Sequence, residues 1–86
     1  MEQKRKAAAL KYKENFDAPV ISAHGMGQIA DKIIETAKEN DVPIVYNKEL
    51  TDLLCNVSVG DTIPYEVYDA VASIIAYITE IDKKSS

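Results

Sequence analysis

His24 is the only histidine among the 86 residues, so nucleophilic catalysis through an imidazole would need Ser22 or Cys55 as its partner. Such a pair works because the imidazole accepts the nucleophile's proton while a third group orients the ring. No motif accompanies either candidate, and a lone histidine at a strand end reads as structural or simply exposed. One thiol with one imidazole is too few ligands for a metal site. His24-Gly25-Met26-Gly27 places two glycines close together but lacks the third glycine and the lysine of a phosphate-cradling loop. Asp61, Glu66 and Asp69 surround a helix start, where negative charge is favoured by the helix dipole. The five tyrosines are scattered and form no stacking platform. The expectation is a protein that is not an enzyme, with no cofactor and no metal.

Composition narrows the remaining classes. At 47% hydrophobic and 28% charged, the chain has the make-up of one small globular domain and not of a disordered segment. A net charge of -4 gives no general reason to bind nucleic acid. The basic cluster Lys4, Arg5, Lys6, Lys11 and Lys13 is expected to be a solvated terminal feature. Cys55, beside Leu53, Leu54 and Val57, is expected to be a small buried hydrophobe in a reducing compartment. No apolar run approaches the roughly 20 residues of a membrane-spanning helix. The start also lacks the apolar core of a secretory signal. These features together predict a cytoplasmic protein with no direct membrane insertion.

The elements follow from periodicity. The chain reads as organised around Asp41 to Asn47, a short β-branched run entered through Pro43 and predicted to form a central strand at 43–46. Ala7 to Tyr12, whose alanines would also suit a helix, is read from its context as a strand that forms a hairpin with a second strand at Pro19 to His24; Pro19 is acceptable at a strand's first position. Between them and the central run, a helix is predicted from about Met26 to Asn40, with Ile29, Ile33 and Ala37 on one stripe flanked by Ala30 and Ile34. Strand, helix and strand in succession predict a parallel pair with a right-handed crossover. Asn47 is placed to cap a short helix carrying Leu50, Leu53 and Leu54 inward. Thr62 and Pro64 are placed to open a last helix whose apolar face is Val67, Val71, Ile74, Ile75 and Ile78. The predicted fold is α/β: a small mixed sheet of about three strands packed against helices, in the order β-β-α-β-α-α. It comprises a flexible basic end over 1–6, a single domain over 7–81 and a frayed end over 82–86.

One ordered set of short motifs goes further. Leu10-Lys11-Tyr12, Ala18-Pro19-Val20-Ile21 with Ala23-His24-Gly25, Val42-Pro43-Ile44-Val45, Gly60-x-x-Ile63-Pro64 and Ala70-Val71-Ala72 follow one another with matching gaps. Over roughly residues 7–81 this resembles the C-terminal cytoplasmic domain of the flagellar and type III secretion export-switch family (the FlhB and YscU family). The resemblance implies a role in the bacterial protein export apparatus, where members help change the cargo from early rod and hook to late filament substrates. It also implies export-apparatus proteins and export substrates as partners, with the membrane-bound export-switch protein a further candidate. The implied location is cytoplasmic, peripheral to the export apparatus at the inner membrane.

Members cleave themselves at an Asn-Pro-Thr-His motif; here the corresponding positions read Glu2-Gln3-Lys4-Arg5, and His24 stands where the family has lysine. The expectation is therefore a stand-alone, non-enzymatic binding module resembling the released fragment. The alternative is the C-terminal part of a self-cleaving export-switch membrane protein, truncated before its cleavage site. The family's cargo-docking patch carries over onto Ala18, Pro19, Ala72 and Ile75, and the competing reading is that these four only pack the last helix against the strand start.

Self-cleavage in the family uses an asparagine side-chain amide against its own carbonyl. Glu2 has no amide nitrogen, and Gln3 precedes Lys4 instead of proline. The intact mass should remain unchanged after prolonged incubation at neutral pH. A chain shortened at the Glu2-Gln3 bond without added protease would contradict this.

Overall fold

The computed structural model describes the backbone of residues 5–12, 15 and 17–85, with side chains described as far as Thr79. Strands β1 (Lys6–Lys11) and β2 (Val20–Met26) are followed by helix α1 (Gln28–Glu39) and helix α2 (Lys48–Leu54). A 3-10 turn (Tyr65–Val67) then leads into helix α3 (Tyr68–Ser85). The expected hairpin is present, pairing antiparallel from Lys6 opposite Met26 to Lys11 opposite Val20. A bulge interrupts it between Ala9 and Leu10. Ser22 is the extra residue there, and its hydroxyl donates to the Ala9 carbonyl at 3.2 Å. Bulges increase local twist.

The expected third strand is not formed. Residues 43–46 carry no strand ladder, and the described sheet has two strands, β1 and β2. Pro43 has no N–H to donate, and Ile44, Val45 and Tyr46 make no backbone hydrogen bond among the described residues. β-branched composition disposes a segment to pair, but a strand exists only where a neighbour completes the ladder. The order is thus β-β-α-α-α with a 3-10 turn, and the predicted parallel crossover falls with the third strand.

α1 packs on both strands and α2 on β1. Ala30 is fully buried on α1, with Ile33, Ile34 and Ala37 half-buried. Ile29, expected on the stripe, is 61% exposed, so the apolar face is centred one position further round. At its end, Asp41 takes a left-handed φ of 57°. Its N–H bonds the Lys38 carbonyl (3.3 Å), while Val42 N–H bonds that of Ala37 (2.8 Å). This double closure is the Schellman motif, with Asn40 as the C-cap, as expected, and Asp41 as the left-handed residue after it.

The main core joins Ile21, Leu50, Leu54, Ile63, Val67 and Val71, with Ala8, Leu10, Val57, Ile74 and Ile75 packed around it. Leu53 is half-exposed, so two of the three expected leucines turn inward. Asn47 caps α2 as expected, its side chain accepting from Leu50 N–H at 3.0 Å. Thr62 does not cap the last helix; it forms a β-bridge with Val20, and Pro64 leads the 3-10 turn instead. α3 stays helical through Ser85, past Asp82 where fraying was expected. Of the basic end, residues 1–4 lie outside the described residues. Arg5 and Lys6 are tied to the fold through ion pairs with Asp31 (3.0 Å) and Asp52 (3.2 Å).

Two glycines let β2 turn into α1. Gly27, at the helix start, holds φ 64°. A Cβ on Gly25 would lie 2.2 Å from Ile29 Cγ2 and 2.8 Å from Ile29 Cβ, too close for a rotamer change alone to relieve. Gly25→Ala should therefore lower stability by about 1–3 kcal/mol through overpacking. Urea unfolding measures it, and a midpoint equal to that of the parent chain would refute the close approach.

Candidate functional site

The groups first considered for catalysis are not assembled. Ser22 donates to the Ala9 carbonyl (3.2 Å) and Cys55 Sγ to the Ala7 carbonyl (3.5 Å). His24 sits half-buried in β2, opposite Ala8. Cys55 is half-buried, less enclosed than expected. Among the described residues, no three His, Cys, Asp or Glu side chains converge closely enough to hold a metal.

The four expected docking positions are distributed unequally. Pro19 is buried, Ala18 and Ile75 half-buried, and Ala72 exposed. The Tyr68 hydroxyl donates to the Asp17 carbonyl, which ties the 17–19 segment to the start of α3. Pro19 is held a second way, its carbonyl accepting from Ile63 N–H at 3.1 Å. Residues four apart on a helix share a face, so Ala72 lies one turn beyond Tyr68 on the side that meets Asp17. Ile75, three residues on, packs against the core. The Tyr68 link sets the 17–19 segment at the start of α3, with Ala72 one turn further along the helix and Ile75 packed against the core.

A second feature was not read from the sequence. A groove of about 1040 Å³ runs between β1 and residues 42–48, with Ile33, Ile34 and Ala37 of α1 on one side and Val71, Ile74, Ile75 and Ile78 of α3 on the other. Its lining is apolar in character, and that scale is at the upper end of the roughly 300–1,000 Å³ typical of ligand sites. The signal that could have located it was present in the predicted central strand: an apolar run at 43–46 with a ladder to make and no partner within the described chain. Ile75 belongs to this groove as well as to the core.

No helix among the described residues is long and apolar enough to cross a membrane. Comparison with known proteins gives this geometry a context. The chain is 42% identical over 80 residues to the protein YlqH of Bacillus subtilis, covering 92% of this chain and 86% of that protein. It is 46% identical over 80 residues to the flagellar biosynthetic protein FlhB of Aquifex aeolicus, covering 91% of this chain. The chain spans only 23% of the length of that FlhB. The crystal structure of the cytoplasmic domain of FlhB from Shewanella putrefaciens superposes with a TM-score of 0.86 at 28% identity, covering 93% of this chain and 67% of that one. The α/β architecture therefore matches that of the FlhB cytoplasmic domain. With the profile of the FlhB HrpN YscU SpaS family matching residues 4–78, this chain belongs to that family, whose members serve flagellar biosynthesis and type III protein export.

Proposed function

We propose that this chain is a non-enzymatic binding module of the flagellar or type III protein export apparatus, acting as the released C-terminal fragment of the substrate-specificity switch does. The family match over residues 4–78 carries this reading. The side-chain arrangement supports it, since Ser22 and Cys55 each donate to a backbone carbonyl while apolar surface is left available. Its partners on this reading are export-apparatus proteins and export substrates, met at the cytoplasmic face of the inner membrane. Docking uses the end of α3 where Ala18 and Ala72 lie, with Pro19 and Ile75 setting the shape beneath them. Small and apolar positions of this kind suit a short peptide motif from a partner.

Ala72 is exposed, so Ala72→Asp places its carboxylate in water and should melt close to the parent chain. Capture of purified export-apparatus cytoplasmic domains and export substrates should nevertheless fall by about tenfold or more, the loss of roughly 1.4 kcal/mol of binding. Pull-down with the purified chain measures capture, and thermal melting checks the fold. Equal capture by the folded variant would remove the patch, and failure of the parent chain to bind any of these partners would remove the function.

A further inference from the structure

The segment that enters β2 is anchored unevenly along its length. From Pro19 onward the anchors are backbone to backbone. The Pro19 carbonyl accepts from Ile63 N–H (3.1 Å), Val20 bridges Thr62, and Ile21 donates to Asp61 (2.9 Å) and accepts from Gly60 (2.8 Å). One residue earlier these anchors stop. Among the described residues neither Asp17 nor Ala18 makes a backbone–backbone hydrogen bond. What reaches them is the Tyr68 hydroxyl, which donates to the Asp17 carbonyl.

That carbonyl belongs to the peptide unit joining Asp17 to Ala18. A peptide unit is planar, so holding its oxygen fixes the direction from which the chain enters Ala18. On the other side, the ring of buried Pro19 disfavours the helical region for Ala18 and keeps it extended. Ala18 is thus constrained from both ends, by a proline after it and by a phenol before it. The phenol belongs to the first residue of α3, and Ala72 stands one turn further along the same helix. One side chain therefore sets the position of Ala18 relative to Ala72.

The hydroxyl has little else to do. Tyr68 is 38% exposed, and the residues of α3 that fill the core beside it are Val67 and Val71. Asp17 is exposed as well, so water takes over its carbonyl if the hydroxyl is removed, and the net loss of stability is small. Packing alone would be served by the ring, without an oxygen at its tip.

We propose that Tyr68 is a positioning residue of the docking surface, its hydroxyl holding Ala18 in place beside α3 so that a partner meets a patch already formed. A patch that must be ordered on contact binds more weakly, because the ordering is subtracted from the affinity. This deepens the proposed function and rests on its reading of Ala18 and Ala72 as docking residues.

Tyr68→Phe in the full chain keeps the ring and removes the hydroxyl. Backbone ¹⁵N relaxation should give Ala18 an order parameter of about 0.85 in the parent and below about 0.6 in the variant, with Ile21 rigid in both. The two chains should melt together. The binding probe is a purified rod or hook export substrate captured by the parent chain, and its Kd should rise by about fivefold or more, the scale of ordering one short segment. Ala18→Gly supplies the second background, because it deletes the methyl that Tyr68 is said to position. There Tyr68→Phe should change Kd by less than about twofold. A hydroxyl that touched the partner itself would lose the same affinity in both backgrounds, and that result would overturn the proposal. So would an unchanged order parameter at Ala18, equal binding by Tyr68→Phe, or a variant that melts well below the parent, which would make the role structural. Equal binding by parent and variant removes this inference and leaves the proposed function standing. A parent chain that captures no export substrate or apparatus domain removes both.

Discussion

Ile21 is completely buried, and its two backbone groups are both taken by the loop at 60–61. That double engagement settles much of the molecule. It fastens the loop leading to α3 against β2, and so brings Ile63, Val67 and Val71 over the same side chain. It also decides the polarity of the sheet. With one edge of β2 closed by 60–63 and the other by β1, the edge left open among the described residues is the outer side of β1. An open edge presents a row of unmet hydrogen-bonding groups, which proteins ordinarily cover or disrupt. Here it borders a groove whose other walls are apolar.

The relation to FlhB proteins gives this geometry a use. Family membership supports an export role, and nothing in the described residues assembles a nucleophile with its base. The chain presents surfaces of two kinds. One is the compact end of α3, where Tyr68 ties down the 17–19 segment and leaves Ala72 exposed. The other is the longer groove, defined by backbone as much as by side chains.

Much of this was legible in the residues themselves. β2 followed from its β-branched run after Pro19, β1 from its place before a turn into that strand and against its alanine-rich composition, the Asn47 cap from its place before an apolar helix, and the α3 face from the spacing of Val67, Val71, Ile74, Ile75 and Ile78. The family followed from motifs in order. What escaped was whatever depends on a neighbour distant in sequence. Residues 43–46 have the composition of a strand but lack a ladder partner. Thr62 has the chemistry of a cap, and pairing with Val20 claims its backbone instead. Ile29 fits the helical stripe, yet the close passage of Gly25 beneath it turns the buried face toward Ala30. Of the docking positions, local sequence marked Ala18 and Pro19 as a strand start. It could not show that Ile75 would belong to the groove while Ala72 remained in water.

Among the described residues, the outer edge of β1 stays open toward residues 43–46. Site-resolved amide hydrogen exchange on the isolated protein tests it without any ligand. Ile21, buried and hydrogen-bonded to Asp61, should exchange only through global unfolding. Lys6, Ala8, Leu10, Ile44, Val45 and Tyr46 should exchange orders of magnitude faster, although they flank the same core. If those six amides proved as slow as Ile21, the edge would already be paired in the free chain, and the account of an open groove would be wrong.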